Sequence, residues 1–148
     1  ETLGMRMQRH VENTRLVVEF LNTQDMVTAV SYPELVEHPD HDLAAELMPR
    51  GCGAVFSFDL SGGRPAGIAF VDALNVFSHL ANIGDAKSLV IHPASTTHHR
   101  MDAEALAAGG IGEGTIRLSI GLEDAKDLIA DLKQGLRAAG KAAGGSRS

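Results

Sequence analysis

The chain has 148 residues, one domain's worth, and a chain of that size buries roughly 70% of the surface its unfolded form exposes. With 44% hydrophobic and 22% charged residues, a formal net charge of −6, no Lys/Arg cluster and no aromatic ladder, the composition fits a soluble globular protein and argues against nucleic-acid binding. No apolar run approaches the roughly 20 residues that span a bilayer, so no membrane role is expected, and the lone Cys52 fits a reducing cytoplasm.

Leu3, Met7, Val11, Val18 and Leu21 recur at helical spacing, with Arg6, Arg9, Glu12 and Arg15 on the other side. This predicts an amphipathic helix over 3–21, stopped near Asn22. A chain that opens on Glu1, inside a helical pattern, reads as a piece of something longer. "MVTAVSYP" is β-branched and ends at Pro33, as a strand would. "EHPDHDLAAELMPRGCG" predicts a turn, a short helix from about Asp42 to Met48 and a Pro-Arg-Gly break.

"GAVFSFDL" alternates strictly, with Ala54, Phe56, Phe58 and Leu60 on one face and Val55, Ser57 and Asp59 on the other. "SGGRPAGIAFVDAL" predicts a helix with a buried stripe of Gly67, Phe70, Val71 and Leu74, and "FSHLANI" a strand. "GDAKSLVIHPASTTHHRM" reads as an ordered loop, and "MDAEALAAGGIGEG" as a short helix and Gly-rich turn. In "TIRLSIGLED", Ile116, Leu118 and Ile120 face one way, Thr115, Arg117 and Ser119 the other. Leu122, Ala125, Leu128, Ile129, Leu132 and Leu136 form the stripe of a last helix, with Glu123 and Asp124 at its N-terminal end, where the dipole favours acids. "GKAAGGSRS" is expected to fray. Together these elements predict an α/β (α+β) fold: a small, mainly antiparallel sheet with helices packed on one face.

The histidines invite a metal reading of His92, His98 and His99, perhaps with His79. Their spacing lacks the tight pair on one element that zinc sites use, and Pro93 breaks the run, so no metal is expected. His38 and His41 read as a solvated loop. Ser95, His98 and Asp102 lack the strand-turn-helix elbow of a nucleophile, and Cys52 has no basic partner nearby in sequence. Arg117, mid-strand between apolar neighbours, needs an anion to offset its desolvation. The residues alone favour an ion pair to Asp59 or Asp85. Asn82 alone reads as a turn amide before Ile83-Gly84-Asp85.

"NIGDAKSLVIHPASTTHHRM" followed by "GIGEGTIRLSIGLEDAKDLIADL" resembles the C-terminal domain of the Cys/Met-metabolism enzymes that use pyridoxal phosphate. Within that family it looks most like the O-acetylhomoserine sulfhydrylase branch. The resemblance covers nearly the whole chain. It implies the C-terminal domain of a fold-type I pyridoxal-phosphate enzyme over residues 1–139, a flexible tail over 140–148, and a large cofactor-binding domain that lies outside this chain. It also implies that Arg117 binds the substrate α-carboxylate as a bidentate pair, with Asn82 beside it. Lyase and cystathionine-forming branches usually carry Ser at that position, so Asn82 favours the sulfhydrylase branch. His92, Ser95, Thr96, Thr97 and His98 match a loop that supports the wall of the active site.

The family's Schiff-base lysine sits in a Ser-x-Thr-Lys context, which Lys87, Lys126, Lys133 and Lys141 all lack. No catalytic residue, and no bound pyridoxal phosphate, is therefore expected in this chain alone. The intact enzyme would be a cytoplasmic homo-oligomer, a tetramer, that makes homocysteine from O-acetylhomoserine and sulfide for methionine biosynthesis. Two alternatives stay open: another reaction of the family, such as that of a cystathionine γ-synthase or methionine γ-lyase, and a free-standing α/β amino-acid-binding module.

Overall fold

The computed structural model describes residues 1–96 and 100–145. The elements run α1 (Leu3–Asn22), β1 (Val27–Ser31), α2 (His41–Leu47), β2 (Val55–Leu60), α3 (Gly63–Asp72), β3 (Ser78–His79), β4 (Leu89–Ile91), α4 (Ala103–Ala108), β5 (Thr115–Ser119) and α5 (Ala125–Gly144). A 3-10 turn at Pro93–Ser95 follows β4.

The strands form one sheet in the order β1-β2-β5-β4-β3. Three of its pairings are antiparallel, and only β3 runs parallel to its neighbour β4. The alternation in β2 and β5 fixes the register. Phe56 lies opposite Leu118 and Phe58 opposite Ile116, so one face of the sheet is continuously apolar. That face meets Phe70 and Val71 of α3, Leu128, Leu132 and Leu136 of α5, and Val17, Val18 and Leu21 of α1 in a single core. Each such side chain contributes about 1.5–3 kcal/mol through burial. The Phe58 and Phe70 rings meet edge to face, 5.6 Å apart. Where α3 crosses α5, a Cβ at Gly135 would lie 2.8 Å from the Phe70 ring, so only glycine permits the approach.

The sheet therefore has a helix-covered face and an open one, as the alternation predicts. Four local expectations change. "FSHLANI" contributes only Ser78 and His79 as strand, and Leu80 to Lys87 form a loop. Conversely, Leu89–Ile91, inside the stretch read as a loop, is a fully buried strand between β5 and β3. In α1 the buried set is His10, Val11, Asn13, Thr14, Val17, Val18 and Leu21, while Leu3 and Met7 are exposed. Finally, α5 does not stop at 139 but continues through Gly144, and Ala143 packs against Gly62.

Candidate functional site

Arg117 occupies the middle of the central strand β5, between Ser57 of β2 and Ile91 of β4. Because Ile116 and Leu118 take the core face, the half-buried guanidinium emerges on the open face. Its Nη2 donates to the main-chain carbonyl of Asn82 at 3.4 Å. Neither carboxylate proposed from sequence reaches it. Asp59 accepts the Thr115 hydroxyl at 2.5 Å, and Asp85 accepts the Lys87 N–H at 2.9 Å within its own turn. Among the described residues no carboxylate lies within ion-pair distance of Arg117. The guanidinium thus keeps a carbonyl neighbour and donors not paired to a carboxylate among the described residues.

Asn82 sits on the exposed loop between β3 and β4, and meets Arg117 through its backbone rather than its amide. The supporting residues lie elsewhere. His92 is fully buried, with Nε2–H donating to the Glu113 carbonyl at 2.7 Å and Nδ1 accepting from the Ser95 hydroxyl at 2.8 Å. Burial lowers its pKa, so the ring is held neutral, with no nitrogen left for a metal. The ring packs over Gly67 of α3, where a Cβ would fall 2.4 Å from Nε2. This puts His92 on the helix side of the sheet, away from Arg117. Thr96 donates to the His92 carbonyl at 2.8 Å and completes the turn. These side chains brace the end of β4 and α3; they do not line the Arg117 face. Thr97, His98 and His99 lie outside the described residues.

Sequence reasoning missed a second polar centre. Glu34 takes the Arg15 guanidinium at 2.6 and 3.2 Å, the Cys52 N–H at 2.9 Å and the Tyr32 hydroxyl at 3.2 Å. Burial works to raise the Glu34 pKa, but Arg15 and the other two donors outweigh it and hold the carboxyl below its usual range. A cavity of about 310 Å³ beside it is lined by Arg15, Glu34, His41, Met48 and Cys52 among others. Burial and the Glu34 charge push the Cys52 thiol up, which disfavours the thiolate. Also missed were Ser88 and Glu123, whose hydrogen bonds join the β5–α5 turn to the start of β4. Neither pairing leaves a signal in apolar periodicity. Among the described residues, no group of three or more His, Cys, Asp or Glu side chains is arranged to hold a metal ion. No helix among them is long and apolar enough to cross a membrane.

The same fold is found in a pyridoxal-phosphate-family enzyme of known structure. The cystathionine γ-synthase of Xanthomonas oryzae pv. oryzae, solved in complex with cystathionine, superposes with a TM-score of 0.86 and 47% identity, over 95% of this chain and 36% of that one. The family described as Cys/Met metabolism PLP-dependent enzyme matches residues 1–137, and this chain belongs to it. O-acetyl-L-homoserine sulfhydrylase 1 of Thermus thermophilus is 46% identical over 92% of this chain and 32% of its own length. L-methionine γ-lyase of Pseudomonas putida is 45% identical over 93% of this chain and 34% of its own. The chain thus spans about a third of the length of the curated relatives it matches.

Lys87, Lys126, Lys133 and Lys141 are all exposed, and the Lys133 ammonium rests over the Phe20 ring, 5.6 Å from its centre. None of the four is enclosed by the chain.

Proposed function

We propose that this chain is the C-terminal domain of an O-acetylhomoserine sulfhydrylase, in which it supplies the group that binds and orients the substrate α-carboxylate. The observation that carries the reading is the Arg117 guanidinium, which has a carbonyl neighbour but no carboxylate within the described chain. A planar fork in that position can take a carboxylate through two parallel N–H···O bonds, fixing both position and plane. Holding the amino acid this way aligns its reacting carbons with groups supplied by a larger domain, a contribution of positioning rather than chemistry. Pyridoxal phosphate and its lysine would belong to that larger domain. The overall reaction replaces the acetate on Cγ of O-acetylhomoserine by sulfide and yields homocysteine.

The choice of branch rests on Asn82 and on the likeness to sulfhydrylases. Because the methionine γ-lyase of Pseudomonas putida is almost as similar, at 45% against 46%, a lyase is the second reading. The longer protein carrying this chain, assayed with O-acetylhomoserine and sulfide, should form homocysteine, with methionine cleaved far more slowly. Sulfide-independent release of methanethiol from methionine as the faster reaction would replace the first reading with the second. Saturable binding of O-acetylhomoserine to these 148 residues alone, seen by calorimetry, would instead favour a free-standing binding module.

A further inference from the structure

The loop that brings Asn82 to Arg117 leaves β3 after His79 and returns to β4 through Ser88. The Ser78 N–H donates to the Ser88 carbonyl at 2.9 Å, which closes the base of the loop. On its other side Ser88 is gripped by Glu123. The Ser88 N–H donates to Glu123 Oε1 at 2.7 Å, and the Ser88 hydroxyl donates to Oε2 at 2.8 Å. The Gly121 N–H donates to Ser88 Oγ at 2.8 Å, and the Leu122 N–H to the Ala86 carbonyl at 2.8 Å. There is no slack, since a Cβ at Gly121 would lie 2.4 Å from the Ala86 oxygen.

This grip is in turn fixed to α1. The Asn13 amide donates to the carbonyls of Gly121 at 3.1 Å and Glu123 at 2.8 Å, and His10 Nδ1–H donates to the Ile120 carbonyl at 2.6 Å. Ser88, Asn13 and His10 are all buried. Beyond it, Leu80 to Gly84 are exposed, and the long 3.4 Å bond from Arg117 to Asn82 ties them to the sheet. A loop with so weak a contact at its tip takes its position from its base.

We infer that Glu123, acting through Ser88, is a positioning residue that sets where Asn82 stands over Arg117. The inference rests on the reading of Arg117 as the carboxylate-binding group. Glutamate suits the place because its two acceptor oxygens meet two donors of one residue.

The test uses the longer protein carrying this chain, with Glu123→Ala, Glu123→Gln, Ser88→Ala and Arg117→Ala compared. Glutamine keeps an acceptor for the Ser88 N–H and can donate to its Oγ, so it should restore function lost in the alanine variant. Glu123→Ala should raise KM for the amino-acid substrate about 10-fold or more, with kcat per folded active site within about 3-fold. Amide hydrogen exchange over residues 79–84 should quicken at least about 10-fold in the same variant. Ser88→Ala, which deletes only the hydroxyl, should shift both readouts in the same direction and serves if Glu123→Ala does not fold. A lowered Tm with unchanged KM, or unchanged exchange over 79–84, overturns the inference. If Arg117→Ala raises KM while the Glu123 and Ser88 variants do not, the inference alone fails. If Arg117→Ala leaves KM unchanged, the carboxylate reading fails and takes the inference with it.

Discussion

Arg117 and Asp59 share the open face of the sheet, yet the guanidinium turns to the Asn82 carbonyl and the carboxylate to the Thr115 hydroxyl. Their registers explain the separation. Asp59 lies opposite Thr115, and Arg117 opposite Ser57, so the two charges are offset along the strands. On the reading proposed for Arg117, a substrate carboxylate supplies the anion that neither Asp59 nor Asp85 brings.

The buried His92 makes stability depend on pH. Its pKa is lowered in the folded protein, chiefly by burial, so below the unfolded value the unfolded chain binds more protons. Stability is therefore full above about pH 6.5 and falls as pH drops below it, until the folded value is passed. Thermal unfolding of the chain between about pH 7.5 and pH 5 should show this loss, and His92→Gln should flatten it. Gly67→Ala should cost about 1–3 kcal/mol, because the new methyl would have to displace the imidazole. An unchanged Tm in Gly67→Ala would mean that the ring can move freely.

Asp131 on α5 accepts three backbone N–H groups of the α3–β3 connection, from Asn75 and Val76 at 2.8 Å and Phe77 at 3.2 Å. Asp131→Ala leaves these donors without their acceptor and should cost about 3 kcal/mol or more. Asp131→Asn, with one acceptor left, should cost less. Chemical denaturation should show a lower midpoint at an unchanged slope; equal midpoints for wild type and Asp131→Ala would contradict the assignment.

The chain in isolation should self-associate. Leu3 and Met5 of α1 are 60% and 71% exposed, and Leu80 and Ile83 of the Asn82 loop are 52% and 61% exposed. Large apolar side chains left open to water seek cover. Light scattering at rising concentration should give a growing mass, and Leu80→Ser with Ile83→Ser should reduce it. A strictly monomeric species at high concentration would count against this expectation.

Much of the fold was legible because alternation and helical spacing are properties of single elements. The strands of "VFSFDL" and "TIRLS" and the helices beginning at Leu3, Gly63 and Ala125 follow directly from them. What escaped depends on contacts far along the chain. "LVI" became an interior strand because β5 offered it a partner, whereas its own flanks, His92 and Pro93, resemble a loop. His10 and Asn13 of α1 are buried because they meet carbonyls of residues 120, 121 and 123. Glu123 looked like an acid suited to a helix N-terminus. In fact Asp124 caps α5 and Glu123 turns to Ser88. The position of Arg117 was readable from its strand; that it would lack an intrachain carboxylate was not, since that depends on where Asp59 and Asp85 find their donors.

The most direct test of the account is Arg117→Ala in the longer protein, with kcat/KM for O-acetylhomoserine measured beside the melting temperature. A bidentate charge-assisted pair is worth about 1.5–3 kcal/mol, so kcat/KM should fall about 10- to 150-fold, and Arg117→Lys, which keeps the charge but loses the fork, should remain clearly impaired. The melting temperature should barely change, because no described carboxylate loses its partner. A buried ion pair would behave in the opposite way, with about 3–5 kcal/mol of stability lost. A large fall in melting temperature with near-normal kcat/KM would contradict the assignment of Arg117 to the substrate carboxylate.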